Sequence, residues 1–375
     1  TAQEVRQAED GWKPMVELGA IPDGQETRVL LRHGFERWED LYPDRQRVVL
    51  ERLLALAPEA TDEESVLRAL RLAIVGSAEM AGHLSRWDRY YLKSYESMAG
   101  HRFNFTTLTV EPNVWGAGAV GRGTVSRRIQ GFGRASEWLR ERVGRDLKIE
   151  GPLDVESGRR ERMSKDVAIR VAHGTSEKQL LAASSADLVL TDPPYHDDVQ
   201  YSELSLPLRA WAGLSVDNLD GEASVNSASG HNVAEGAYEE LLASIFTECR
   251  RTMKAHAHLI FSYANREPEA WIALFRALDR AHLKAVGYQL LPSENETDYA
   301  KRGVRACTLD LLMDLIPADA DVPVETWKPA HLPNTDEGAF LGIVASTFMR
   351  VGRLGTGWED RFREKLRLSS FLTNE

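Results

Sequence analysis

The run Asp187-Leu188-Val189-Leu190-Thr191 is stopped by Asp192-Pro193-Pro194-Tyr195, and this juncture limits the fold more than any other stretch of the chain. Leu188, Val189 and Leu190 are continuous, apolar and β-branched at their centre, which suits a strand buried on both faces of a parallel sheet. Proline fixes φ and has no N–H to donate, so two in succession force the backbone out of the sheet at the carboxyl edge of the strand. Open α/β sheets bind ligands at that edge. The loop therefore offers a ligand the Asp192 carboxylate, the proline carbonyls and an aromatic face. A Pro-Pro pair by itself means little in a chain of this length; the four residues together, directly after an apolar strand, carry the signal.

Methyl transfer to an exocyclic amino group of a base needs such a set. The lone pair of that nitrogen is delocalised into the ring, which makes it a poor nucleophile. Asp192 and the Pro193 carbonyl both accept N–H hydrogen bonds, which localises the lone pair and stabilises the positive charge that develops. Pro194 shapes the turn and Tyr195 stacks on the base. An amino group inside a duplex is out of reach, so the nucleotide must be extruded and held against apolar or aromatic groups. The plain alternative is a proline-stopped strand with a solvated aspartate.

The residues Thr191-Asp-Pro-Pro-Tyr-His-Asp-Asp-Val-Gln-Tyr-Ser-Glu-Leu-Ser205, with Trp211 after them, resemble the amino-methyltransferase motif of a family of large adenine-specific DNA methylases, some linked to anti-phage defence or restriction-modification. The similarity extends through Arg37-Trp-Glu-Asp-Leu-Tyr42, Leu84-Ser-Arg-Trp87 and Asn113-Val-Trp-Gly116, and onward to about Ile316. It implies an α/β fold with a Rossmann-like, S-adenosylmethionine-dependent methyltransferase sheet, here partial, preceded by a helical region. It implies DNA as substrate, adenine N6 as the first target with cytosine N4 open, Tyr201 and Glu203 near the site, and a sheet that ends in an antiparallel strand.

The family also carries a phenylalanine- and glycine-rich cofactor loop, and no Asp-Pro-Phe-x-Gly-x-Gly occurs here. Two explanations follow. In one, the chain is a carboxyl-terminal catalytic half whose cofactor-binding half is removed or sits on a partner polypeptide, which predicts an exposed apolar sheet edge. In the other, the chain is a non-catalytic DNA- or partner-binding subunit with a methyltransferase-like fold.

The chain has 375 residues, 43% of them hydrophobic and 27% charged, a composition ordinary for globular protein. Neither an eighteen-residue apolar run nor a charged-then-apolar leader is visible, so the expected location is cytoplasmic, without membrane insertion. A formal charge of −11 argues against non-specific coating of nucleic acid. Arg122, Arg127, Arg128, Arg134 and Arg140, followed by Arg159, Arg160, Arg162 and Lys165, form a local basic stretch, read either as phosphate contacts or as a solvated helix face. Cys249 and Cys307 lack metal spacing and read as reduced small hydrophobes.

Four regions are expected. Residues 1–100 read as helical, a DNA-recognition or lid element, with Pro43 starting one helix and Thr61 with Glu64 opening another; Trp87, Tyr90, Tyr91 and Tyr95 share helical spacing. Residues 101–165 read as a glycine- and arginine-rich connection. Within it, a strand at Phe105–Val110 and Gly116-Ala-Gly-Ala-Val-Gly121 leave a dinucleotide site, and hence an oxidoreductase, as a third reading. Residues 166–316 read as the catalytic half: a strand at Val167–Ala172, a helix near Lys178–Ala183, the strand before Asp192, a helix over Tyr238–Met253, a strand over Ala257–Tyr263, a helix over Glu267–Arg280, and strands over Ala285–Leu291 and Cys307–Leu315. That alternation implies parallel pairing, with the last two strands open to an antiparallel pairing at the edge. Residues 317–375 read as a helical tail.

Other candidates come from position. Gly174 and Thr175, expected at the sheet edge where the family often has an acid contacting S-adenosylmethionine, stand as cofactor-binding candidates beside Asp192. His196 reads as a loop group near the base or its phosphate, and His196-Asp197-Asp198 is not read as a metal site, since neighbours in one extended stretch rarely converge on one ion. Tyr263 and Asn265, at the end of the next strand, are placed at the border of the target base.

Overall fold

The computed structural model describes residues 3, 14–89, 93–98, 101–105, 109–116, 123–143, 161–163, 167–169, 172, 174–197, 199–216, 222–226, 228, 231–293, 307–321 and 333–373. Tyr90, Tyr91, Ala117 to Gly121, Arg122, Asp198 and part of the expected strand Phe105–Val110 lie outside the described residues. The chain divides into two compact units, one of residues 1–150, 159–170 and 200–222, the other of residues 151–158, 171–199 and 223–375.

The first unit is mainly helical. After α1 (Arg28–Arg32) and a 3-10 turn (Trp38–Leu41), Pro43 leads into α2 (Asp44–Ala60), followed by α3 (Glu64–Ser77). Proline before the first turn costs nothing, because the N–H it lacks has no helical partner there. Thr61 hydrogen-bonds the Glu63 N–H rather than a helical amide, so α3 opens without the expected cap. Arg86–Asp88 (β1) and Lys93–Tyr95 (β2) form an antiparallel pair where helical spacing was expected, and Trp87 is part-exposed. α4 (Val125–Val143), β3 (Glu161–Met163), β4 (Val167–Ile169) and α5 (Tyr201–Trp211) complete the unit. Its core is built on Trp38, Phe103, Leu30, Leu50 and Leu206.

Of the strand expected at Val167–Ala172, the described part Val167–Ile169 (β4) pairs antiparallel with β3, in the first unit, rather than in a parallel sheet. A partner a few residues away along the chain needs only a short loop, whereas a parallel partner needs a crossover, so the local pairing wins.

The second unit is an α/β layer. Its sheet has the order β5 (Ala186–Thr191), β6 (Met253–Tyr263), β8 (Leu309–Pro317), β7 (Leu283–Pro292). β5 runs parallel to β6 with Leu188 opposite His258 and Leu190 opposite Ile260, while β8 is antiparallel to both β6 and β7. The last two strands thus adopt the antiparallel arrangement that the sequence left open. One face packs against α6 (His231–Thr252), α7 (Pro268–Arg280), α8 (Asp336–Phe348) and α9 (Trp358–Arg367). α7 shows why: Pro268 sits in its first turn, and Trp271, Leu274, Phe275 and Leu278 recur at helical spacing, all fully buried. Period-2 alternation sends Leu259, Phe261 and Tyr263 of β6 into the same core. Phe340, Val344, Phe348, Phe362 and Leu366 of the last helices join it.

Two expectations are corrected in this unit. The segment 174–185 holds turns rather than a helix at Lys178–Ala183. Its backbone serves the end of α6: Ser184 and Ser185 N–H donate to the Arg251 and Thr252 carbonyls, and the Arg251 guanidinium donates to the Gln179 and Leu181 carbonyls. The serine bonds satisfy terminal carbonyls that α6 cannot pair internally, and the arginine bonds occupy carbonyls of the segment that a helix would have used. The second correction concerns β5. Expected to be buried on both faces, it is the end strand of the sheet among the described residues; Val189 packs on the core, but Leu188 and Leu190 are 54% and 72% exposed.

Candidate acceptor site at the end of β5

β5 and its parallel neighbour β6 finish side by side, Thr191 opposite Phe261, which brings Ser262 next to Asp192. The Ser262 hydroxyl donates to Asp192 Oδ1 at 2.9 Å, and the Tyr195 hydroxyl donates to the same oxygen at 3.1 Å. The two hydroxyls are 3.2 Å apart, closing a three-membered ring of polar groups. Asp192 is exposed, and both recorded bonds fall on Oδ1. The carboxylate therefore has a fixed orientation with Oδ2 available to a ligand. No hydrogen bond to the Pro193 carbonyl is present among the described residues.

Tyr195 is half-buried, its ring 5.2 Å from that of Tyr263 and tilted by 59°. Burial, opposed by the Ser262 bond and reinforced by the Asp192 charge, pushes its hydroxyl well above the usual phenol range, so it remains a donor to the carboxylate. Its hydroxyl is engaged by Asp192 and Ser262, and any base that stacks on Tyr195 must use the exposed part of the ring.

The loop rests on a buried polar layer. The Tyr238 hydroxyl, from α6, donates to the Pro194 carbonyl at 3.2 Å and lies 3.1 Å from the Tyr263 hydroxyl. Burial first, offset by its hydrogen bonds, pushes the Tyr238 hydroxyl up to about 12. Asn265 donates from Nδ2 to the Tyr195 carbonyl at 3.3 Å and accepts from the Glu267 N–H at 2.7 Å. Trp271 Nε1 donates to the Asn265 carbonyl at 3.0 Å.

Of the residues singled out from sequence, Asp192, Pro193, Pro194, Tyr195, His196, Tyr263 and Asn265 come together here. Tyr263 is fully buried, so it supports Tyr195 from behind rather than bordering a ligand, and Asn265 braces the loop backbone. His196 is buried with both ring nitrogens beside carboxylates, which removes it as a surface contact for a base or phosphate. Tyr201 and Glu203 belong to the first unit. The Glu203 carboxylate is fully buried and accepts the Gln25, Glu26 and Thr27 N–H groups, each at 2.9 Å, so it anchors the entry to α1. Tyr201, half-exposed, begins α5, where its N–H donates to Glu222 at 2.5 Å.

Gly174 and Thr175 sit in exposed turns, and Thr175 Oγ1 bonds only to Glu177. Val167–Ile169, the described strand within the stretch that was to carry them to the sheet edge, lies in the first unit. No group of three or more His, Cys, Asp or Glu side chains that could hold a metal ion occurs among the described residues. Sequence reasoning passed over Ser262 as a site residue and missed Glu235 and Tyr238 altogether. Ser262 was within reach, since it ends the strand beside the loop; the α6 residues carry no local signal.

No family model matches this chain, and neither a curated protein nor a solved structure matches it. No helix among the described residues is long and apolar enough to cross a membrane.

Proposed function

We propose that the second unit is the acceptor half of a DNA amino-methyltransferase, with adenine N6 as the favoured target and cytosine N4 as the alternative. The observation that carries this reading is the Asp192 carboxylate at the carboxyl end of β5, its Oδ1 held by the Ser262 and Tyr195 hydroxyls. An amino group seated between Oδ2 and the Pro193 carbonyl donates both hydrogens, which localises its lone pair and stabilises positive charge on nitrogen. The antiparallel strand beside β6 agrees with the sheet that the resemblance implies.

The donor half is assigned to a partner polypeptide that brings S-adenosylmethionine. Strands paired in parallel in α/β layers are ordinarily covered on both faces. Here the face of β5 that bears Leu188 and Leu190 is open, at the strand where the sheet ends.

A second reading, a non-catalytic DNA- or partner-binding subunit, draws support from the exposed turns at Gly174 and Thr175. The two are separated by combining the chain with candidate partner polypeptides and following methyl transfer from labelled S-adenosylmethionine to DNA, with digestion to identify the modified base. Transfer that is lost in Asp192→Asn supports the acceptor reading; transfer that is undiminished in Asp192→Ala refutes it.

A further inference from the structure

The backbone that follows Pro194 is held by a cluster that acceptor chemistry does not use. His196 adopts a left-handed conformation, φ 60°, and its side chain is 3% exposed. A non-glycine residue stays in that region only where its surroundings over-determine it. Here Nε2 lies 2.9 Å from the Glu235 carboxylate of α6 and Nδ1 lies 3.3 Å from Asp197. The Val225 N–H donates to the His196 carbonyl at 3.0 Å. The ring meets Tyr238 edge-on at 5.1 Å, and Tyr238 is the residue that holds the Pro194 carbonyl.

We propose that buried His196 and part-buried Glu235 form a clamp that positions the Asp192–Tyr195 loop, making Glu235 a positioning residue for the acceptor site. The clamp stands on geometry alone; its consequence for catalysis rests on the acceptor reading. Among the described residues, the charged and titratable groups recorded around His196 are Asp197 on its own loop, Glu235 and Tyr238 from α6, and Tyr263 of β6 behind Tyr238. An imidazolium donates from both nitrogens and satisfies both carboxylates, whereas neutral imidazole donates from one. Burial lowers the His196 pKa, and the hydrogen bonds to Asp197 and Glu235 outweigh it, so the net shift is upward from the usual histidine value. The clamp is therefore complete below that usual value and loosens as pH rises through the raised one.

The test is hydrogen exchange of the full chain, read by mass spectrometry on peptides covering 192–199, from about pH 6 to about pH 9 with correction for intrinsic rates. A charge-assisted bond is worth about tenfold or more in local opening. The wild-type loop should lose about tenfold in protection across the range, and Glu235→Gln should exchange about tenfold faster at the acid end and lose the pH step. His196→Asn, which tolerates the same backbone, should behave like Glu235→Gln. Loop exchange in Glu235→Gln that matches wild type in rate and pH step overturns the clamp. Equal acceleration of a core peptide over Leu259 to Phe261 in both variants also overturns it, because the cluster then acts on the whole unit. Methyl transfer by the same proteins, each combined with the partner polypeptide that supplies S-adenosylmethionine, is read separately: its absence from the reconstituted wild type counts against the acceptor reading and leaves the exchange result to judge the clamp.

Discussion

Glu203 offers the sharpest test of how the first unit is held together, because a residue expected near the substrate proves to be a buried backbone anchor. Its carboxylate has no solvent exposure; Oε1 accepts the Gln25 N–H, and Oε2 accepts the N–H groups of Glu26 and Thr27. Glu203→Ala leaves three amides, one buried and two part-buried, without their carboxylate partner. One unsatisfied buried donor costs about 1–3 kcal/mol. The three are adjacent and relax together, so the total is about 3–5 kcal/mol rather than the full sum. Glu203→Gln keeps Oε1 as an acceptor, but turning the amide nitrogen toward Glu26 and Thr27 opposes donor to donor, for a loss of about 2–4 kcal/mol. For a domain of this size each kcal/mol lowers Tm by about 2–4 °C, so Glu203→Ala should fall by about 6–20 °C. Urea unfolding and thermal melts give the magnitude, and hydrogen exchange at Gln25, Glu26 and Thr27 gives the location. A loss under about 1 kcal/mol with these amides still protected would refute the assignment. Gly24 adds an internal check: a Cβ there would collide with the Glu203 carboxylate, so Gly24→Ala should destabilise wild type and cost far less in the Glu203→Ala background.

Ser262→Ala removes one of the two donors that orient Asp192; in the reconstituted enzyme kcat should fall by about tenfold with the melt unchanged, and unchanged kcat would remove Ser262 from the site. Leu190→Asp, at a side chain 72% exposed, should leave folding within about 0.5 kcal/mol and abolish assembly with the partner half in a pull-down, whereas the same change at fully buried Leu259 should unfold the unit. Continued assembly of Leu190→Asp would rule out this face as the docking surface. Because the folded pKa of His196 is raised, its contribution to stability is fully present below about pH 6.5 and is lost as pH rises through the folded value; Glu235→Gln should flatten that part of the stability profile, as measured by urea midpoints.

Much of the second unit was legible in sequence because its elements are long and their apolar spacing is regular. α7 begins at a proline and repeats Trp271, Leu274 and Leu278 on one side, and β6 alternates through Leu259, Phe261 and Tyr263. Short segments misled. Val167, Ile169, Trp87 and Tyr95 lie in three-residue strands whose pairing depends on what sits opposite, and Lys178 to Ala183 has a helical composition overridden by the carbonyls at the end of α6. At the site, Asp192 and Tyr195 announced themselves, because an acid, two prolines and an aromatic are distinctive chemistry at a strand end. Ser262, Tyr238 and Glu235 did not, because an ordinary serine, tyrosine or glutamate acquires a role only from its neighbours.

The sequence by itself determined that β5 ends abruptly in a carboxylate-bearing loop, since two prolines admit no other continuation and that constraint is local. It also determined the α/β character that follows, through periodicity. Only the tertiary structure decided which oxygen of Asp192 is engaged, that Tyr195 donates to it, that His196 is buried against Glu235, and that β5 stands at the end of the sheet with Leu188 and Leu190 uncovered. Each of these depends on residues far apart in the chain meeting in space, and such meetings are set by the packing of whole elements rather than by any local run of residues.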